Sequence, residues 1–164
     1  MRVGTLVSSR SHVDLLCRID PPHGMLAFGD FVRVGETAVG LVASSQIMSP
    51  EFGGGPAATL VSVLLLGSLT ESGGRQEIPR DIVPLQAEVR RMPDEAIARF
   101  HQDPVAGLQV RYAPLILSQA GGMAAPLLVS LLDRLSELFP DDRPRLAVLR
   151  KAVRWQSAMT ALHG

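Results

Sequence analysis

Phe28-Gly29-Asp30-Phe31-Val32-Arg33-Val34-Gly35-Glu36-Thr37-Ala38-Val39-Gly40-Leu41-Val42 is the stretch that decides the fold of this 164-residue chain. Phe31–Val34 and Ala38–Val42 have strand composition, and Gly35-Glu36-Thr37 between them is a tight turn. The two runs therefore read as a hairpin with one buried face. Upstream, Arg2–Ser8 alternates Val3, Thr5 and Val7 against Gly4 and Leu6. His12–Ile19 sets Val13, Leu15 and Cys17 on one face and Asp14, Leu16 and Arg18 on the other. Asp20-Pro21-Pro22-His23-Gly24 breaks that strand, because proline removes backbone donors and glycine supplies turns. Downstream, Ser44–Pro56 reads as a loop holding Gly53-Gly54-Gly55. Ala58–Leu69 is the most apolar strand, with Leu60, Val61, Val63, Leu64, Leu65 and Leu66. Thr70–Gln76 is expected to be a hairpin tip. Ile78-Pro79 and Ile82-Val83-Pro84 are extended, since a residue before proline is pushed out of the helical region. Short strands punctuated by Gly and Pro suggest a small closed barrel, in which closure removes exposed sheet edges.

The pattern changes near Met92. Pro93-Asp94-Glu95 is a helix-start signal, and Ala96, Ile97 and Phe100 face inward from a short helix ending near His101. Leu108, Val110 and Tyr112 alternate with Gln109 and Arg111, which predicts an extended segment continued by Leu115-Ile116-Leu117. After Pro126, placed where a first helical turn tolerates it, Leu127, Leu128, Leu131, Leu132, Leu135, Leu138 and Phe139 mark an amphipathic helix ended by Pro140. A second helix runs from about Arg143 to Leu162, with Asp141 or Asp142 as a cap. The expected class is α+β: a six-stranded β-barrel over residues 1–91, then a mainly helical C-terminal extension over residues 92–164.

The last helix carries two apolar stripes. Val148, Ala152, Trp155, Met159 and Leu162 form one, and Leu146, Leu149 and Val153 the other. Together they exceed the roughly 100° face that a surface helix needs. Either the helix lies in a groove between two elements, or it also contacts another chain. Trp155, Met159 and Leu162 are the candidate partner-interface residues, because a large aromatic anchor is enriched at binding hot spots. The alternative places Trp155 in the core.

Composition removes whole classes of function. The chain has 16 Lys+Arg against 16 Asp+Glu, and 4% aromatic residues. That argues against a protein built to neutralise phosphates or stack bases. Asp141–Gly164 holds Arg143, Arg145, Arg150, Lys151 and Arg154 against two carboxylates, a net +3 balanced by −3 elsewhere. No apolar run reaches the roughly 18 residues of a membrane helix. One cysteine, Cys17, rules out an intramolecular disulfide framework and fits a reducing compartment. With no secretory leader pattern at the N-terminus, the expected location is cytoplasmic.

Catalytic signatures are weak. His12, His23, His101 and His163 lack the paired spacing of a helical metal site. His101 closes a helix, where an imidazolium would favour the C-terminal dipole. Cys17 lies in an apolar strand with Arg18 as its one basic neighbour, and reads as a buried inert thiol. Ser118-Gln119-Ala120-Gly121-Gly122 before a helix has the order of a nucleotide-binding loop, but Met123-Ala124-Ala125 stands where that motif needs Lys and Ser or Thr. No catalytic residue, cofactor or metal is expected.

Val3-Gly4-Thr5-Leu6-Val7, Phe28-Gly29-Asp30-Phe31-Val32-Arg33-Val34 and Val39-Gly40-Leu41-Val42 resemble the HAS-barrel, a domain shared by the HerA ATPase and ATP synthase subunits. Val63–Gly67 and Ile78–Val89 are similar to that domain's last strands. The helical tail, with Phe139-Pro140-Asp141-Asp142, resembles that of stand-alone HAS-barrel proteins. The resemblance implies a barrel that holds subunits or a partner such as a ring ATPase together. No ATPase core follows and no Walker lysine is present, so motor activity is not implied. The expectation is a non-enzymatic assembly or docking protein that forms a homo-oligomer or binds a protein partner. The competing expectations are a small-barrel nucleic-acid or translation-associated protein, marked by Arg2, Arg18 and Arg33 clustered on one barrel face, and an enzyme with His12 or His23 beside Asp14 or Asp30 in a deep pocket.

Overall fold

The computed structural model describes residues 2–20, 26–48 and 58–163; the turn containing His23 and the Gly53-Gly54-Gly55 loop lie outside them. Seven strands form the main sheet: β1 (Arg2–Ser9), β2 (Asp14–Ile19), β3 (Phe31–Val34), β4 (Ala38–Met48), β5 (Ala58–Thr70), β6 (Gly73–Arg75) and β7 (Glu88–Arg91). Six of them close a ring in the order β1-β2-β5-β4-β3-β7, with β7 pairing back onto β1 and every pair antiparallel. The short strand β6 returns from a turn and pairs with the end of β5. This is the closed six-stranded barrel expected from the strand pattern.

Alternation along each strand builds two apolar layers. Val32 and Val34 of β3, Ala38 and Val42 of β4, and Val61, Val63 and Leu65 of β5 point into the barrel, where they meet Val3, Leu6, Leu15, Cys17 and Val89. Phe31, Val39, Leu41, Leu64 and Leu66 point outward from the same strands into a second layer beneath the helices. Strand β5 is therefore buried on both faces, which is why it reads as a continuous apolar run. The strands also extend further than expected. The predicted loop from Ser44 begins instead with Ser44–Met48 inside β4, paired with Ser62–Ala58 of β5. Cross-strand pairing decided this, overriding the weak local preference of Ser44-Ser45-Gln46.

Four helices follow: α1 (Asp94–His101), α2 (Ala113–Gln119), α3 (Ala124–Leu138) and α4 (Arg143–His163). A two-residue pair, β8 (Gln102–Asp103) with β9 (Gly107–Leu108), separates α1 from α2. Short 3-10 turns precede α3 and α4. Leu127, Leu128, Leu131, Leu132 and Leu135 of α3 lie buried against the outward layer of the barrel. The extended reading of Leu115-Ile116-Leu117 is corrected, because these residues belong to α2. Pro114 occupies its first turn, Ile116 is buried and Leu117 is exposed. A three-residue apolar run carries no period that separates strand from helix, and packing of Ile116 on the barrel chose the helix.

Two glycines permit close approaches. Gly29 has φ of +87°, and a Cβ there would lie 2.6 Å from Ser130 Oγ of α3. Gly74 of β6 runs so near α1 that a Cβ would sit 2.7 Å from both the Cα and the carbonyl oxygen of Phe100. A side chain at Gly74 would collide with the α1 backbone, whereas one at Gly29 would strain a left-handed backbone and displace the Ser130 hydroxyl.

Candidate partner interface

The interface residues lie on α4, a helix of 21 residues, about 31 Å long at 1.5 Å per residue. Its first half is fastened to α3. Leu146 is buried and Val153 packs at the edge of the same cluster. Arg150 Nε lies 2.7 Å from Asp133 Oδ1, and Arg143 Nε donates to the Ser136 carbonyl at 3.0 Å. Leu149, on the same stripe, is only partly covered.

The other stripe faces away from the body. Val148 is 67% exposed, Trp155 68% and Leu162 78%, whereas Leu146 is 1% exposed. Ala152 is exposed and Met159 half-exposed. Of the sequence alternatives, a groove between two elements is corrected: one stripe faces α3, and no described residue covers the Val148–Trp155–Leu162 stripe. Trp155 as core is corrected on the same ground. Leu146 and Val153 are the α4 side chains that join the cluster formed by the α3 leucines and the barrel.

The other sequence candidates fall elsewhere. His101 is not a solvent-facing imidazolium at a helix end. Its ring turns into the outward layer, edge-on to Phe31, Phe100 and Tyr112. Its Nδ1 sits 2.7 Å from the Ile97 carbonyl and its Nε2 2.6 Å from the Tyr112 hydroxyl. With Nδ1–H donating to the carbonyl, neutral Nε2 accepts from Tyr112. Burial lowers the His101 pKa to about 4, with the Ile97 carbonyl pulling the other way. Burial likewise raises that of Tyr112. Desolvation therefore outweighs the helix-end dipole that favoured a charged ring. Cys17 is buried in the barrel, and burial pushes its thiol up to about 12, far from a thiolate nucleophile.

His12 is exposed and contacts the Pro79 carbonyl, while the Asp14 carboxylate accepts from the Ser62 hydroxyl at 2.9 Å. Asp30 accepts from the Ala27 backbone N–H at 2.8 Å and faces Arg91 at 3.9 Å. These residues belong to local structural contacts. Among the described residues, no group of three or more His, Cys, Asp or Glu is placed to hold a metal ion.

The arginine cluster does form in outline. Arg90 of β7 stands opposite both Arg2 of β1 and Arg33 of β3, and Arg18 of β2 lies in the neighbouring row opposite Thr5. Yet Arg2 Nε is 3.4 Å from Asp20, Arg90 is paired with Glu88, and Arg33 donates to the Leu69 carbonyl at 2.6 Å. The Arg90 hydrogen bond and charge hold the Glu88 carboxyl below its ordinary range. Arg2 and Arg90 thus face carboxylates, whereas Arg33 is held by a backbone carbonyl.

Sequence reasoning missed Gln76. Its Nε2 donates to the carbonyls of Phe100 (3.1 Å) and Gln109 (2.8 Å), and its Oε1 accepts from the Arg111 backbone N–H at 2.6 Å. One amide thus ties the strand end to the α1–α2 connection. Only the tertiary placement of three backbone segments reveals it.

The fold defines a class: a small closed antiparallel β-barrel capped on one outer face by helices, with a terminal helix that is apolar on two sides. The chain belongs to the family described as Domain of unknown function (DUF8166), whose model matches residues 1–163. A comparison with curated proteins finds no match. Among the described residues, no helix is long and apolar enough to cross a membrane.

Proposed function

We propose that the chain is a non-catalytic assembly module in which the barrel and α1–α3 form the platform and α4 offers its free face to another protein chain. One observation carries this reading. Val148, Trp155 and Leu162 are exposed on a helix whose opposite side already holds it to the body. Burying such side chains contributes roughly 1.5–3 kcal/mol each, and a clustered aromatic anchor is the usual centre of a binding surface. The resemblance to the HAS-barrel supports the same role, including a ring ATPase as the partner. The neutral, buried states of His101 and Cys17 support a structural part for both. Arg2 and Arg90 face carboxylates on the barrel, and the free face of α4 is apolar, which favours a protein partner over a nucleic acid. A lone buried thiol fits a cytoplasmic setting.

The test is native recovery of the tagged chain from its own cells, with the mass measured by light scattering. A complex of fixed stoichiometry is expected. It should be lost in the triple variant Val148→Ser, Trp155→Ser, Leu162→Ser while the melting temperature is unchanged. A chain recovered alone, and monomeric at high concentration, would sink the reading.

A further inference from the structure

The exposed residues of α4 have a tighter pattern than amphipathicity requires. Val148, Ala152, Trp155, Met159 and Leu162 are spaced 4, 3, 4 and 3. That is the 3.5-residue period by which one helix seats against another. At 100° per residue, Lys151 borders this seam on one side and Arg145 on the other, with Arg154 a further 60° round the helix from Lys151. All three are exposed and make no ion pair among the described residues. The remaining cations are engaged, Arg150 by Asp133 and Arg143 by the Ser136 carbonyl. From Arg143 to His163 the helix has five cations and no carboxylate.

We propose that this seam takes an acidic amphipathic helix from another protein, its apolar stripe on Val148–Leu162 and its carboxylates against Lys151 and Arg145. The inference rests on the assembly reading above and names the partner's chemistry. Charge selects this occupant. Pairing α4 with its own copy would bring the unpaired Arg145, Lys151 and Arg154 of each helix together with no carboxylate on either, an arrangement that like-charge repulsion disfavours. A lipid surface would use the same cations, but an interfacial helix sets a polar face opposite its apolar one, whereas the face of α4 opposite the seam packs against the body through Leu146 and Val153.

Trp155 is the only tryptophan in the chain, so its emission reports the seam directly. The full-length protein would be titrated with two synthetic 21-residue helical peptides sharing one leucine seam, flanked by Glu in one and by Lys in the other. The Glu peptide should shift Trp155 emission to the blue and bind at least about tenfold tighter than the Lys peptide, with affinity falling as salt rises. The double variant Arg145→Glu, Lys151→Glu should reverse the preference. Parallel titrations use phosphatidylcholine vesicles with and without phosphatidylserine, and light scattering follows self-association. Equal binding of the two peptides, binding of neither, a shift on anionic vesicles alone, or Trp155 covered by self-association would each overturn the proposal. In the self-association case the assembly reading survives. Native recovery of a lone monomer removes both.

Discussion

At the residue scale, His101 shows how a helix-end histidine can be misread. Acidic residues at the start of α1 and Arg99 and His101 at its end agree with the helix dipole, and the sequence pattern alone favours a charged ring there. The three-dimensional surroundings reverse this, because Phe31, Phe100 and Tyr112 enclose the ring and leave it only two hydrogen-bond partners. A pH dependence follows. The His101 pKa is about 4 when folded and about 6.5 in an unfolded chain. Between those values the unfolded state binds the extra proton, so stability is full above pH 6.5 and declines as pH falls toward 4. The loss from this group is about 3 kcal/mol. Urea unfolding at pH 7 and pH 4.5 should show it, and the His101→Asn variant should lose most of that difference; an equal difference in the variant would refute the assignment. By contrast, Cys17 was legible from the sequence, since an apolar strand position with alternating neighbours already implies a buried thiol.

At the element scale, the length and period of a segment decided how well it could be read. The α3 leucines repeat over four turns and leave no competing structure. Leu115-Ile116-Leu117 is too short to carry a period, and strand β4 gained Ser44–Met48 through its partner. Helix α4 was legible as a helix, with its two stripes, but not as to which stripe meets the body. Substitutions separate the two. Leu146→Ala, in the face against α3, should cost about 2–5 kcal/mol. Trp155→Ser or Leu162→Ser should change stability by no more than about 0.5 kcal/mol in the isolated chain. Thermal or urea unfolding of the three variants checks this. A large loss for Trp155→Ser would place that side chain in the core.

At the scale of the whole molecule, the outward faces of β3, β4 and β5 need the helices. Phe31, Val39, Leu41, Leu64 and Leu66 are buried only because α1–α3 cover them. A chain ending at residue 91 should therefore expose a contiguous apolar patch, bind a hydrophobic dye and aggregate. A soluble monomer unfolding cooperatively would show that the barrel stands alone. The local patterns were enough to read five strands, a closed barrel and the leucine helix, because alternation and helical period are properties of neighbouring residues; the sixth barrel strand, Glu88–Arg91, is too short and polar to announce itself and is set by pairing with β1 and β3. Three matters were left to the tertiary structure: that His101 is neutral, that Gln76 ties three segments together, and that Trp155 faces outward. Each depends on which distant surfaces meet. The last depends on which stripe of α4 meets α3, a contact taken by Leu146 and Val153.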